Sequence, residues 1–341
     1  MLLRRSPFPV LLAVAALLAA ADGVLLAPGQ FQLDIAAYLR LCLLSAVLLG
    51  AARVYATVRP DPRLAAMLFG TGFLCLFSLE ASILNYLLLP HTGARMDVLL
   101  AASDRAMGFD WPRVMEFMAR HPVLNGAAQF AYSSMLPQVA LLTILLASTR
   151  PQRVYSFCLA LSLAALVCIA VWGFAPSFGA FSVYPPPPSS MALALDSAYA
   201  RDLIHLLRDG PGLISPHDAR GLIGFPSYHA ALALLVAWYA WPLRLLRWPA
   251  IVLNIAVLAA TPVQGGHHLV DVLGAVPVTV FALFAAMWLM PTEEDVKSVG
   301  LVNKAARLGA NLRPSEVFRT VAEQKPKPER SAIKAKLNTV P

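Results

Sequence analysis

Two short segments carry residue types that could move a phosphoryl group or a proton. One is Gly224-Phe225-Pro226-Ser227-Tyr228-His229, followed at once by an apolar run from Ala230 to Trp241. The other is Gly265-Gly266-His267-His268-Leu269-Val270-Asp271, which opens a second apolar run. Imidazole can act as nucleophile, base or acid near neutral pH, and a carboxylate on one ring nitrogen leaves the other free to attack. His267 and Asp271, four residues apart, would share a helix face and form such a pair. His229 supplies a second ring able to protonate a departing oxygen. Pro226 suits a first helical position, and the glycines at 265 and 266 let backbone come close to a ligand. Two helix N-termini converging on one spot would attract an oxyanion such as phosphate.

The elements that must position these residues are membrane helices. Hydrophobic residues make up 58% of the chain and charged ones 13%, and the mean hydropathy is +0.65. A soluble domain carries about a quarter charged residues. Eight apolar segments stand out, at 8–27, 34–57, 64–90, 123–148, 154–175, 225–243, 247–263 and 268–290. Several reach the length of about 20 residues that crosses a hydrocarbon core of about 30 Å. They are continuously apolar rather than alternating, so a helical bundle is expected and a barrel is not.

Starting from a cytoplasmic N-terminus, Arg4 and Arg5, then Arg53, Arg59 and Arg63, then Arg150 and Arg153, then Arg244 and Arg247 all fall on one side, as does the basic tail after Pro291. That agreement with the positive-inside rule supports eight spans with both termini cytoplasmic and the two histidine motifs on the outer face. MLLRR and the small residues Ala19 to Ala21 also resemble a cleavable signal. Retention is the preferred reading, because the apolar run continues through Leu26. Two outer loops are long. MDVLLAASDRAMGFDWPRVMEFMARH, within 91–122, has the spacing of an amphipathic helix lying on the membrane surface. Tyr184 to Pro188 reads as a rigid polyproline wall. Three regions follow: an N-terminal pair of spans at 1–62, a catalytic membrane domain at 63–291 and a basic, largely disordered tail at 292–341.

Cys42, Cys75, Cys158 and Cys168 sit in apolar runs and read as small core hydrophobes. The net charge of +8 comes from basic residues scattered over short loops and the tail without aromatic interleaving, so no nucleic-acid partner is expected. Usage rich in Ala, Leu and Arg suggests a bacterium of high genomic GC, and so an inner-membrane location.

Taken singly, a histidine at a membrane interface is ordinarily just wetted, and an aspartate there caps or pairs. Two such motifs at two helix starts on one face are better read as a site. Pro226-Ser227-Tyr228-His229 and His267-to-Asp271 resemble the PSxH and HxxxD elements of the type 2 phosphatidic acid phosphatase superfamily, which includes the sphingomyelin and inositol-phosphorylceramide synthases. The resemblance is clear over about 200–290 and weaker around LLAASDRAMGFDW. It implies a six-helix phosphatase-like core in which His267 forms a phosphohistidine, Asp271 orients it, His229 is the acid/base and Ser227 binds phosphate, with Gly266 beside it. It implies no metal and no cofactor. The superfamily's KxxxxxxRP element is not found, and Ala260 and Thr261 stand where Ser-Arg would precede the last motif. That variant is similar to the branch near the inositol-phosphorylceramide synthases and their bacterial relatives, in which an LR-x-G segment precedes PSxH. Here it is Leu207-Arg208-Asp209-Gly210, which makes Arg208 the candidate phosphate clamp, with Arg220 its competitor.

The expected substrate is therefore a lipid phosphate, with water or an alcohol such as inositol or diacylglycerol as acceptor. The competing class is a lipid transporter or binding protein. Glu80 inside the third segment would suit that class, or would simply pair with another helix. Tyr132, Ser133 and Gln138 would line a headgroup pocket or bond between helices. His268 could replace His267 beside Asp271, though the resemblance favours His267. His91, His121, His205 and His217 show no ligand spacing and receive no role.

Overall fold

The computed structural model describes residues 7–29, 31–89, 95–185, 191–194, 205–206, 208–210 and 212–290. The expected cytoplasmic tail, His91 and Pro186 to Pro188 lie outside the described residues. In chain order the helices are α1 (Phe8–Leu26), α2 (Ile35–Thr57), α3 (Pro62–Leu88), α4 (Asp97–Ala106), α5 (Trp111–Arg120), α6 (Pro122–Ser133), α7 (Met135–Thr149), α8 (Pro151–Phe174), α9 (Tyr228–Ala240), α10 (Arg247–Gln264) and α11 (Leu269–Leu289). The protein is an all-α, polytopic integral membrane protein. Helices α1, α2, α3, α8 and α11 are long and apolar enough to span a bilayer, and the α6–α7 pair makes a sixth if taken as one bent span. Each of the eight apolar segments contains helix, but among the described residues five or six helices rather than eight have the length and apolarity of a span, and α9, with 13 residues, covers about 20 Å at 1.5 Å per residue.

Local chemistry sets the breaks. Asp61 caps α3 by accepting from the N–H groups of Arg63 and Leu64, with Pro62 at the position where a missing N–H costs nothing. The α6–α7 bend is 44°. Pro137, in the first turn of α7, cannot donate to the Ser133 carbonyl and its ring crowds it, which is the usual cause of such a bend.

Helix α8 occupies the centre and packs on α3, α7, α9 and α11. Ala160, Ser162, Ala164 and Ala165 are buried there, and small residues let neighbouring backbones approach closely. Helices α1 and α2 pack mainly on α3 and bury little of themselves. A two-residue parallel pairing of Gln32–Leu33 with Leu213–Ile214, reinforced by Ser215 donating to Asp34, ties the loop before α9 to the start of α2.

The 91–122 stretch departs from its sequence reading. It forms two short helices separated at Gly108 rather than one surface helix. On α5 the amphipathic expectation holds: Trp111, Met115 and Met118 are buried and Glu116 and Arg120 face out. On α4 it inverts, because Asp97 and Asp104 are on the buried face with Leu100 and Ala101. Those two acids organise the loops described next.

Candidate active site

Helices α9 and α11 begin side by side, with the Ser227 N–H donating to the Asp271 carbonyl at 3.0 Å. Ser227 is the N-cap of α9 and its hydroxyl accepts from Ala230. Pro226 therefore stands before the helix, in a cis peptide with Phe225, and not at its first position. Likewise α11 begins at Leu269, with His268 as its N-cap and His267 outside it. Asp271 is in the first turn, where its Oδ2 accepts from the His268 N–H at 2.8 Å and lies 3.2 Å from His267 Nδ1. The four-residue contact is thus made from loop to helix rather than along one helix face.

His267 is 7% exposed. Its Nδ1 also lies 3.0 Å from the Gly224 carbonyl oxygen. A carbonyl and a carboxylate can only accept, so in the neutral ring Nδ1 is the nitrogen that carries the proton and Nε2 the one with the lone pair. Nε2 lies 3.3 Å from the Ser227 hydroxyl. His229, from the first turn of α9, stacks face to face on Tyr132 with centroids 4.0 Å apart, and its Nε2 lies 3.2 Å from the Tyr132 carbonyl oxygen. By the same argument that nitrogen is the protonated one, and Nδ1 is left to exchange protons. Both histidines line one cavity of about 670 Å³, walled mainly by α3, α8, α9 and the 219–224 loop, with α7 completing it.

One loop and three buried side chains hold the motifs together. Gly224 donates to the Ser177 carbonyl at 2.7 Å, and the Gly266 carbonyl accepts from Ala180 at 2.6 Å, so the 177–180 loop is wedged between the two motifs. A side chain at 224 would run into Ser177 and the Gly179 backbone, so only glycine fits. Asp97 fixes the wedge by accepting from the Ser177 hydroxyl and from the N–H groups of Phe178 and Gly179, at 2.8 to 3.0 Å. Asp104, two helical turns on, accepts from the N–H groups of Leu269 and Val270, both at 3.0 Å, and so caps α11. Its Oδ2 also stands at ion-pair distance, 3.3 Å, from His268 Nδ1, without hydrogen-bond geometry. Gln264, fully buried, bonds Asn125 and Ala194 and steadies the glycine pair from the other side.

The sequence-derived residues divide accordingly. Ser227, His267 and Asp271 meet directly, and His229 joins His267 at the cavity. Gly266 has φ +62° beneath the Phe181 ring and serves through its carbonyl, whereas Gly265 and His267 line the cavity. Arg208 is not brought in. It is two-thirds exposed, its Nε and Nη2 each 2.8 Å from Asp209, and those hydrogen bonds pull the Asp209 carboxyl down to about 2. Arg220, the competitor, lines the cavity, with its own N–H donating to the Tyr86 hydroxyl at 2.9 Å. Tyr132 is at the site, while Gln138 bonds Asn254 between helices and Ser133 is exposed. His268 is fully buried away from the cavity lining. Glu80 lies near Asp22 of α1 and does not line the cavity. His121, His205 and His217 are exposed. Among the described residues no group of three or more His, Cys, Asp or Glu could hold a metal ion.

Asp97, Asp104, Gln264 and Asn125 were not singled out from the sequence. The available signal was the seven-residue spacing of Asp97 and Asp104 around Leu100 and Ala101, which puts two acids on an apolar helix face.

A membrane helix bundle with a buried histidine–carboxylate pair at paired helix starts is the class that fold and site define. Within it, the chain belongs to the PAP2 superfamily: the family model matches residues 98–285, more than half of the chain. The match begins one residue into α4 and ends within α11, so it contains both motifs and Asp104, with Asp97 just before it. Members of this superfamily are generally phosphatases or phosphotransferases acting on lipid phosphates in membranes. No curated protein and no solved structure matches the chain.

Proposed function

We propose that the protein is a lipid phosphate phosphatase or phosphotransferase that works through a phosphohistidine at His267. The observation that carries this reading is the double acceptor at His267 Nδ1, which leaves the Nε2 lone pair as the nucleophile. In the first step Nε2 attacks phosphorus, the bond to the leaving oxygen breaks, and protonated His229 gives that oxygen its proton. In the second, His229 takes a proton from water or an alcohol, whose oxygen displaces the phosphoryl group from Nε2. Asp271 balances the charge that develops on the ring. Ser227 holds the Nε2 face of the ring in place through its hydroxyl. Arg220 supplies the cation near the phosphate. The likeness of GGHHLVD to the inositol-phosphorylceramide synthase branch favours an alcohol acceptor such as inositol or diacylglycerol. Arg59, Arg150 and Arg244 in the connections, with Arg63, Arg153 and Arg247 in the helical turns that follow them, cluster at the other ends of the helices, which supports a site facing away from the cytoplasm, as in a bacterial inner membrane with an external active site.

A second reading has one observation behind it: Ser227, His267 and Asp271 also stand in the order of a serine triad. Ser227 is fully buried and outside the cavity lining, whereas His267 lines it, which favours the histidine. Radiolabelled lipid phosphate, quenched during turnover, decides the matter. An acid-labile, alkali-stable adduct on His267 that vanishes in His267→Ala is the expected result. An acid-stable, alkali-labile adduct on Ser227 would move the nucleophile, and a His267→Ala protein with normal turnover would end the phosphohistidine scheme.

A further inference from the structure

The cavity beside the two histidines is not uniform. Its depth is apolar, with Leu74, Phe77, Leu136, Ile169 and Leu232 suited to hydrocarbon. One wall differs. Ser78, Ser82 and Asn85 follow one another at four- and three-residue steps, so they share a face of α3, and all three line the cavity. The two serines are occupied locally: Ser78 donates to the Cys75 carbonyl and Ser82 to the Leu79 carbonyl. Asn85 is different. It is 6% exposed, and its Oδ1 is buried with no hydrogen-bond partner among the described residues. By contrast, the Asn125 side chain bonds Gln264 and the Ala192 carbonyl. A buried amide oxygen left unpaired is costly, and native proteins rarely leave one so.

The position of Asn85 along the cavity says which part of a ligand it would meet. The next residue, Tyr86, accepts from the Arg220 N–H and donates to the Asp218 carbonyl, which ties this turn of α3 to the loop that runs into Gly224 and the His267 contact. Asn85 therefore stands at the level of the phosphate site and above the apolar depth. What fits there is a donor close to the phosphate of the lipid.

We propose that Asn85 is a specificity-determining residue that receives a free hydroxyl on the lipid backbone next to the phosphate. The inference rests on the phosphoryl-transfer reading above and narrows its substrate class to hydroxyl-bearing lipid phosphates. A hydroxyl both donates and accepts, so it can satisfy Oδ1 while leaving the amide N–H₂ a partner in the same group. A lipid phosphate with only ester or hydrocarbon at that position leaves Oδ1 unpaired and is discriminated against.

The test uses the purified full-length protein in detergent and two substrates that differ in one group. They are a monoacylglycerol phosphate with its free backbone hydroxyl, and the deoxy analogue in which that hydroxyl is a hydrogen. The measured quantity is the ratio of kcat/KM for the two within each variant, so any general loss of folded protein cancels. The wild type is expected to favour the hydroxyl lipid by about five- to tenfold, the worth of one ordinary hydrogen bond. Asn85→Leu brings the ratio close to one, chiefly by raising KM for the hydroxyl lipid, and Asn85→Ser, which keeps an acceptor, retains part of it. A wild-type ratio near one, or an unchanged ratio in Asn85→Leu, overturns the role of Asn85 while leaving the phosphatase reading intact. A wild type that turns over neither lipid, together with absence of the His267 adduct, overturns that reading and this inference with it.

Discussion

Replacing Asp104 with alanine should damage catalysis without touching any residue that meets substrate. Its two carboxylate oxygens cap the N–H groups of Leu269 and Val270 at the start of α11, and its charge faces the positive end of that helix. Removal leaves two partly buried donors unpaired, at about 1–2 kcal/mol each, and removes an interaction with the helix dipole of up to about 1 kcal/mol. A loss of about 2–5 kcal/mol in stability follows. His267 and Asp271 flank those two residues, so a start of α11 that relaxes by even about 1 Å misaligns His267, the proposed nucleophile, a displacement worth on the order of a hundredfold in rate. Asp104→Asn keeps one acceptor and should fall between wild type and alanine on both measures. Asp110→Ala is the control, because Asp110 caps α5 by accepting from Arg113 and has no bond to α11. It should cost about 1 kcal/mol of stability and little rate. Thermal unfolding of the purified protein and kcat/KM on a lipid phosphate measure both. If Asp104→Ala melts and turns over like wild type, or Asp110→Ala loses as much rate, α4 does not position the site.

Three further outcomes are expected. His229→Ala should lose about a hundredfold or more on ordinary lipid phosphates and much less on a nitrophenyl phosphate, whose leaving group needs no proton, and equal losses on both would remove His229 as the acid. Arg220→Ala should reduce kcat/KM by on the order of a hundredfold and Arg208→Ala by far less, since only Arg220 lines the cavity; a reversed order would return the clamp to Arg208. Gly266→Ala should lower the melting temperature and the rate together. A side chain there meets the Phe181 ring at a left-handed backbone, with strain of about 1–2 kcal/mol, and wild-type behaviour would show that the 177–180 wedge yields freely.

The membrane helices and the two motifs were legible because their signals are local. A continuous apolar run of membrane length needs no partner to be recognised, and two histidine motifs stand at the ends of such runs. The His267–Asp271 contact was expected from helical spacing and is made, although His267 stands outside the helix. The four-residue interval survives because a side chain in the residue before an N-cap can turn back onto the first turn. Where a choice depended on the path of a loop, the sequence could not decide it. Arg208 and Arg220 are twelve residues apart in one loop, and only the Tyr86 tether shows which of them reaches the cavity. The neighbouring Asp209 was a readable warning that Arg208 had a partner at hand.

The inversion at α4 has a more general cause. Hydrophobic periodicity identifies the buried face of a helix only when what it is buried against is hydrocarbon or side chain. The neighbours of α4 are a helix start and a loop whose N–H groups have no partners of their own, and such groups call for carboxylates. Asp97 and Asp104 therefore go inside, beside Leu100 and Ala101, while Val98 and Leu99 are left exposed. In a membrane protein those exposed apolar residues carry no penalty if lipid covers them, so the rule that usually betrays a misassigned face gives no warning here. The same reasoning explains why the acids that matter most to the geometry are inconspicuous in the sequence while Glu80, in the middle of a span, stands out. An acid among apolar residues looks functional, but an acid near a helix end looks solvated, and the difference lies in backbone donors that a sequence does not display.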